Sequence, residues 1–189
     1  VDVREVCQLA DAVVMAWYPG QEGGYALGDL LFGDANFSGR LPVTFPADGD
    51  LLPAFDDYSM KGRTYKYMRD NIYYPFGYGL SYGKVSYDNL QVKADKKTGA
   101  TVTATLTNAS QWDVSETAQV YIAAPGAGDT APLQQLAAFK RVNIPAGGSA
   151  EVTFDIPLER LMTVQEDGSS LLVRGEYVFT VAGAAPSAR

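Results

Sequence analysis

The spacing of apolar residues changes character along the chain. In Val3–Ala10 the apolar positions Val3, Val6, Cys7 and Ala10 recur at i, i+3, i+4 and i+7, which predicts a helix. Ala12–Trp17 (AVVMAW) is a continuous apolar run of strand length, the pattern of a parallel strand buried on both faces. Tyr18-Pro19-Gly20 breaks that run. Glu22–Phe32 then returns to a helical period, with Ala26, Leu27, Leu30 and Leu31 on one face. Glu22 falls in the first turn, where a carboxylate complements the helix dipole, and Gly33 stands where a left-handed stop is expected. Leu41–Phe45 (LPVTF) reads as a second strand closed by Pro46. Strand, helix and strand in this order predict a βαβ unit. One such unit cannot cover its own sheet, so a larger layer must pack against it.

From about Val85 the period becomes two. Thr101–Thr107 (TVTATLT) places Val102, Ala104 and Leu106 on one face and threonines on the other, and Glu151–Ile156 (EVTFDI) alternates in the same way. Seven strands are predicted: Val85–Ala94, Ala100–Asn108, Thr117–Ala123, Leu136–Ile144, Ala150–Ile156, Ser169–Val173 and Glu176–Val181. Turn signals separate them at Thr98-Gly99, Pro125-Gly126, Pro145–Gly148, Asp167-Gly168 and Arg174-Gly175. Short alternating strands at this density predict an immunoglobulin-like or fibronectin-III-like β-sandwich. Between the two regimes, Ala47–Tyr82 shows no sustained period. It carries Tyr58, Tyr65, Tyr67, Tyr73, Tyr74, Tyr78 and Tyr82 among Lys61, Arg63, Lys66 and Arg69. Such aromatic content argues against disorder and for an arm that staples its neighbours together.

Composition narrows the chemistry. The 189 residues are 47% hydrophobic, enough for a buried core, and carry a net charge of −7. That charge argues against nucleic acid and against an anionic membrane surface, both of which are met with Lys and Arg clusters. No apolar run approaches the roughly 20 residues of a membrane-spanning helix. Cys7 is the only cysteine, so an intrachain disulfide is excluded, and it reads as a small buried hydrophobe on a helix face. There is no histidine. Ser-His-Asp and Cys-His nucleophile systems are thereby excluded, along with the commonest zinc ligand. Any hydrolytic chemistry would rest on carboxylates or tyrosines.

Several stretches taken together resemble the C-terminal part of family 3 glycoside hydrolases, the β-glucosidase and β-xylosidase family. They are AWYPGQEGGYALGDLLFGDANFSGRLPVTFP (Ala16–Pro46), KGRTYKYM (Lys61–Met68), YPFGYGLSYGKVSYDNL (Tyr74–Leu90), LAAFKRVNIPAGGSAEVTFDI (Leu136–Ile156) and GEYVFTVAG (Gly175–Gly183). The resemblance implies that residues 1–46 end an α/β sandwich domain, residues 47–83 form a connecting arm, and residues 84–189 form a fibronectin-III-like β-sandwich. It implies a retaining enzyme that uses no metal or organic cofactor and acts on terminal β-linked glucose or xylose. Such an enzyme works through two carboxyl groups about 5–5.5 Å apart. In the family the nucleophile is an Asp of a (β/α)₈ barrel, and the acid/base is a Glu commonly well before the WYPGQEGG segment. With 16 residues ahead of Trp17, both are expected outside this sequence. The chain alone is then expected to be inactive, with the barrel and the first half of the α/β domain, on the same polypeptide or a companion chain, as its partners. A secreted or periplasmic location is favoured over a cytoplasmic one. The rival reading is a non-catalytic carbohydrate-binding or docking module.

Within the chain, Glu22 is the candidate carboxylate, weighed against a helix-terminal Glu that holds its turn by hydrogen bonds. Gly20, Gly23 and Gly24 lack the GxxxxGK[ST] and GxGxxG spacings of phosphate loops and read as tight strand-to-helix packing. The adjacent acids Asp56-Asp57 and Glu166-Asp167 do not by adjacency make a catalytic pair, since neighbours in a strand face opposite ways. Asp167-Gly168 reads as a hairpin turn. The tyrosines of the arm could stack on sugar rings, weighed against a staple that holds the two domains together. Arg63 is expected to pair with a carboxylate or carbonyl in that staple, and Arg40 to do the same at the sheet end. Asn36-Phe37-Ser38 and Asn108-Ala109-Ser110 fit the N-glycosylation pattern.

Overall fold

A computed structural model describes residues 3–128, 131–165 and 167–186. Two short helices, α1 (Arg4–Leu9) and α2 (Gly23–Phe32), take the places that the helical spacing assigns. Gly33 ends α2 at φ 85°, the left-handed conformation that glycine adopts without a Cβ clash. Glu22 is the N-cap residue of α2, one position ahead of the first turn.

The expected βαβ unit does not form. Residues 12–17 make no strand, and Val13, Val14 and Met15 are 43%, 41% and 37% exposed. The second expected strand shrinks to β1 (Phe45–Pro46), which pairs antiparallel with β2 (Ile72–Tyr74) of the arm. An apolar run reports a tendency to be buried. A strand also needs a neighbour for its N–H and C=O groups. Among the described residues no strand lies beside 12–17 to supply one. The arm is otherwise built from turns, a 3₁₀ turn at Gly49–Leu51 and the short helix α3 (Thr64–Tyr67).

The period-two region becomes a sandwich. Its strands are β3 (Val85–Asp95), β4 (Gly99–Asn108), β5 (Val114–Ala123), β6 (Gln135–Ile144) and β7 (Ser149–Pro157). A small hairpin of β8 (Thr163–Val164) and β9 (Ser170–Leu171) follows, and β10 (Val178–Ala182) completes the set. One sheet has the order β3-β4-β7 and the other β10-β5-β6, with antiparallel neighbours throughout. The chain crosses between sheets after β4, after β6 and again between β7 and β10. The expected strand Ser169–Val173 is therefore only partly a strand, and it pairs with the unforeseen β8 outside both sheets. The turn between β8 and β9 uses Asp167-Gly168, with Gly168 at φ 82° and the Asp167 carboxylate accepting the Ser169 N–H at 2.9 Å. Glu166 of that acidic pair lies outside the described residues.

Between the sheets Val102 and Leu106 of β4, Phe154 and Ile156 of β7, and Ala118, Val120 and Ile122 of β5 close the core. The alternation read from the sequence holds on β4 and β7. On β5 it fails in an informative way, because Ala118 through Ile122 are all buried. The face of β5 that should meet solvent is covered by the arm.

Candidate functional site

Glu22 is exposed, and its side chain makes no capping hydrogen bond to α2. The expectation that it holds its turn by hydrogen bonds is therefore incorrect. The turn is closed instead by the backbone, Gly23 N–H to Gly20 O at 3.0 Å. Of the three glycines only Gly23 is in a tight place, where a Cβ would run into the Pro19 ring; around Gly20 and Gly24 there is open space. Just before the turn Trp17 holds φ 53°, a conformation rare for an aromatic residue, and Tyr18 is 99% exposed. The α2 face is also open, with Leu31 61% and Phe32 88% exposed. Segment 12–32 thus presents a broad apolar surface with no cover among the described residues.

The staple reading of the arm is carried by its tyrosines. The Tyr65 hydroxyl accepts the Leu136 N–H at 3.1 Å, while its ring stacks on Phe76 at 4.6 Å and meets Tyr121 edge-on at 5.9 Å. Burial pushes the Tyr65 phenol above its ordinary value. Tyr82 donates to Leu30 O of α2 and packs against Trp112 of the β4–β5 loop at 5.2 Å. Tyr74 stacks on Tyr78 at 4.7 Å. Its hydroxyl lies 3.3 Å from Cys7 Sγ, and that contact together with burial pushes the phenol up to about 12. Cys7 is half-buried and hydrogen-bonded, so it is more than the buried hydrophobe that the helical spacing suggests. On the covered face of β5 the Tyr121 hydroxyl donates to Gln119 Oε1, and the Gln119 amide donates to Gly183 O at 2.5 Å.

A buried ion pair locks the seam. The Arg40 guanidinium donates to Glu116 Oε2 at 2.6 Å, with side chains only 12% and 6% exposed. The Tyr87 hydroxyl of β3 donates to the other carboxylate oxygen at 2.9 Å. Burial and the adjacent carboxylate hold the Tyr87 phenol far above its ordinary value, so it stays a donor. For Arg40 the sequence leaves carboxylate and carbonyl both open and does not name Glu116; the structure gives it the Glu116 carboxylate, and its Nη1 also donates to Gly39 O at 3.1 Å. The signal was present, because Glu116 occupies a core-facing position of β5, in step with Val114, Ala118 and Val120. A charged residue in a core row has to be paired.

Arg63 finds carbonyls. Its Nη2 donates to Pro53 O at 3.2 Å, Ala54 O at 2.8 Å and Asp57 O at 3.1 Å. The acids Asp56 and Asp57 stand exposed on the loop so braced. Hydrogen bonds from Ser59 hold the Asp57 carboxyl below the ordinary range. Beside the loop is an apolar groove of about 540 Å³ lined by Pro46, Leu52, Met60, Met68 and Phe76. Thr44 also borders it, with a buried Oγ1 that has no hydrogen-bond partner among the described residues.

Both glycosylation motifs are used structurally. Asn108 is fully buried, and its amide donates to the carbonyls of Trp112, Ile144 and Pro145 at 2.7, 3.1 and 3.1 Å. The Asn36 amide donates to Asp113 O at 2.8 Å while its oxygen accepts from Ser81 and Tyr82. Neither amide is free to carry a sugar in the folded chain. Among the described residues no three His, Cys, Asp or Glu side chains gather as a metal site.

Comparison with known proteins bears on this arrangement as a whole. The profile of the glycosyl hydrolase family 3 C-terminal domain matches residues 1–82, and that of the fibronectin type III-like domain matches residues 116–185. A xylan 1,4-beta-xylosidase of Xylanibacter ruminicola is 46% identical over 156 residues, covering 82% of this chain and 18% of its own length. A periplasmic beta-glucosidase of Salmonella typhimurium is 33% identical over 171 residues, covering 82% of this chain and 22% of its own length. The crystal structure of a Bifidobacterium adolescentis GH3 beta-glucosidase superposes with a TM-score of 0.90 at 32% identity, over 100% of this chain and 30% of that one. The chain thus spans about a fifth of the curated relatives it matches.

Proposed function

The chain belongs to glycoside hydrolase family 3, and from that premise we propose that it is the C-terminal portion of a retaining enzyme hydrolysing terminal β-linked glucose or xylose residues. The observation that carries the reading is the full-length superposition on less than a third of a β-glucosidase, combined with the uncovered apolar surface of residues 12–32. Such a surface fits one half of an α/β domain described without the other half beside it. In this reading residues 1–46 complete the α/β domain, residues 47–83 are the arm, and residues 84–189 are the sandwich docked by the Arg40–Glu116 pair. The nucleophile and the acid/base come from the barrel and the first half of the α/β domain. Glu22, exposed and without a bonded partner on α2, is a residue of the domain wall. The periplasmic relative supports placing the enzyme outside the cytoplasm.

The test is turnover of chromogenic β-glucosides and β-xylosides by the purified chain, alone and mixed with the barrel and the first half of the α/β domain. The chain alone should be silent and the mixture active. Turnover by the chain alone that survives rigorous purification and is abolished by Glu22→Gln would place the chemistry here and overturn the assignment.

A further inference from the structure

Residues 64–78 of the arm cross the outer face of the β10-β5-β6 sheet and are bonded to it at both edges. At the entry to β6, Leu133 N–H donates to Lys66 O at 2.7 Å and Leu136 N–H to the Tyr65 hydroxyl at 3.1 Å. Leu136 sits where the pairing of β5 with β6 shifts register, between Val120 and Tyr121. Past the end of β10, Ala185 N–H donates to Phe76 O at 2.7 Å. Between these ends the segment passes over β5. The Tyr65 ring meets Tyr121 edge-on. Gly77, at φ 83°, lies so close that a Cβ there would stand 2.7 Å from the Gln119 amide nitrogen and 3.0 Å from Ala184 Cα. Tyr121 and Gln119, which alternation would send to water, are 1% and 3% exposed beneath it. The cover is supplied by this chain itself. On its other side the segment is tied to the first part of the chain, with Gly77 N–H donating to Leu41 O at 2.7 Å and Leu41 N–H to Tyr78 O at 2.8 Å.

We infer that residues 64–78 are a strap built into the sandwich, which unfolds with both sheets as one cooperative unit and fixes the sandwich in one orientation to the first part of the chain. A flexible tether leaves its backbone to water and its ends free to swing. This segment gives acceptors to N–H groups at both edges of a sheet, and those groups need a partner whenever water is excluded. A strap held at one edge alone could peel from the other at little cost. Here the two ends are coupled, because Tyr65 from the β6 side stacks on Phe76 from the β10 side at 4.6 Å. Peeling either end breaks that stack and uncovers Tyr121, a ring with a large apolar area to return to water. The inference is independent of the glycosidase reading, since every contact it uses lies within this chain.

The test is pulsed hydrogen exchange of the full chain across a urea series, read by mass spectrometry of its peptides. One set of peptides carries Leu133, Leu136 and Ala185, whose N–H groups hold the strap. A second set covers β4, in the other sheet. Both sets should lose protection at the same urea concentration. Gly77→Ala puts a Cβ where there is no space and at a φ that alanine resists, so both midpoints should fall together, with the folded-to-unfolded ratio at fixed urea about tenfold lower. Tyr65→Phe keeps the ring and removes the acceptor of Leu136 N–H, so both midpoints should again fall together, by less. Strap amides that lose protection at lower urea than β4, in the wild type or in either variant, would show a strap that undocks from a finished sandwich, and would overturn the inference. Midpoints unchanged in both variants would overturn it as well. If Gly77→Ala does not fold, the wild type and Tyr65→Phe decide the question.

Discussion

Removing one partner of the Arg40–Glu116 pair should loosen the seam between the first part of the chain and the sandwich. In the Glu116→Ala variant, Arg40 stays in a site where its side chain is 12% exposed and has lost its carboxylate. Tyr87 loses the acceptor that it meets at 2.9 Å. Breaking a buried pair from one side costs about 3–5 kcal/mol. Water can reach the vacated space at the seam, so we take the lower end, about 3 kcal/mol. For a chain of this size that corresponds to a melting temperature lower by about 6–12 °C. The double variant Arg40→Met, Glu116→Leu removes both charges and keeps volume, so it should recover most of that loss. Urea unfolding of the full chain provides the assay. Trp112, packed against Tyr82 at the seam, reports opening by fluorescence, and far-ultraviolet circular dichroism reports the sandwich. The fluorescence transition should move to lower urea in the single variants and back in the double. Arg40→Met and Glu116→Leu made singly, each within about 0.5 kcal/mol of the wild type and with effects that add in the double, would mean that the pair does not couple the two parts.

Three further outcomes follow from the geometry. Stability should fall as pH rises above about 10, because Tyr74 is raised to about 12 by the Cys7 contact and burial, and burial raises Tyr87, Tyr121 and Tyr65 as well. A raised phenol pKa means that the folded chain holds its proton longer than the unfolded one. The contribution is therefore complete below pH 10 and lost above it, so the last part of the phenolate absorbance, from the buried phenols, should rise together with unfolding. Asn108→Ala should destabilise by about 2–4 kcal/mol in urea unfolding, since it strands the carbonyls of Trp112, Ile144 and Pro145, and mass spectrometry of chain secreted from a eukaryotic host should find no glycan at Asn108 after folding. Gly183→Ala should weaken the same seam as Glu116→Ala, because its Cβ would stand 2.7 Å from Glu116 Oε1; a melting temperature unchanged within error would refute that contact.

Local patterns determined what local physics controls. Alternation in TVTATLT and EVTFDI is enough to orient β4 and β7, because each side chain in a strand faces one side and the core selects that side. The glycine after Phe32 is enough to stop α2, because few other residues adopt φ 85° without strain. The family was legible for a related reason: its glycines, prolines and aromatics mark turns that the backbone can make in few other ways. The run AVVMAW misled because strand formation depends on a neighbour, and sequence spacing does not say whether one is present. In the same way the arm's tyrosines announced a staple and could not name its partners. That Tyr65 meets Leu136, that Tyr82 meets Leu30 and that Arg40 meets Glu116 are contacts across 71, 52 and 76 residues. Side chains so far apart in sequence are brought together only by closure of the sandwich and the wrapping of the arm around it. The same wrapping buries both faces of β5, which alternation alone would have left half in water.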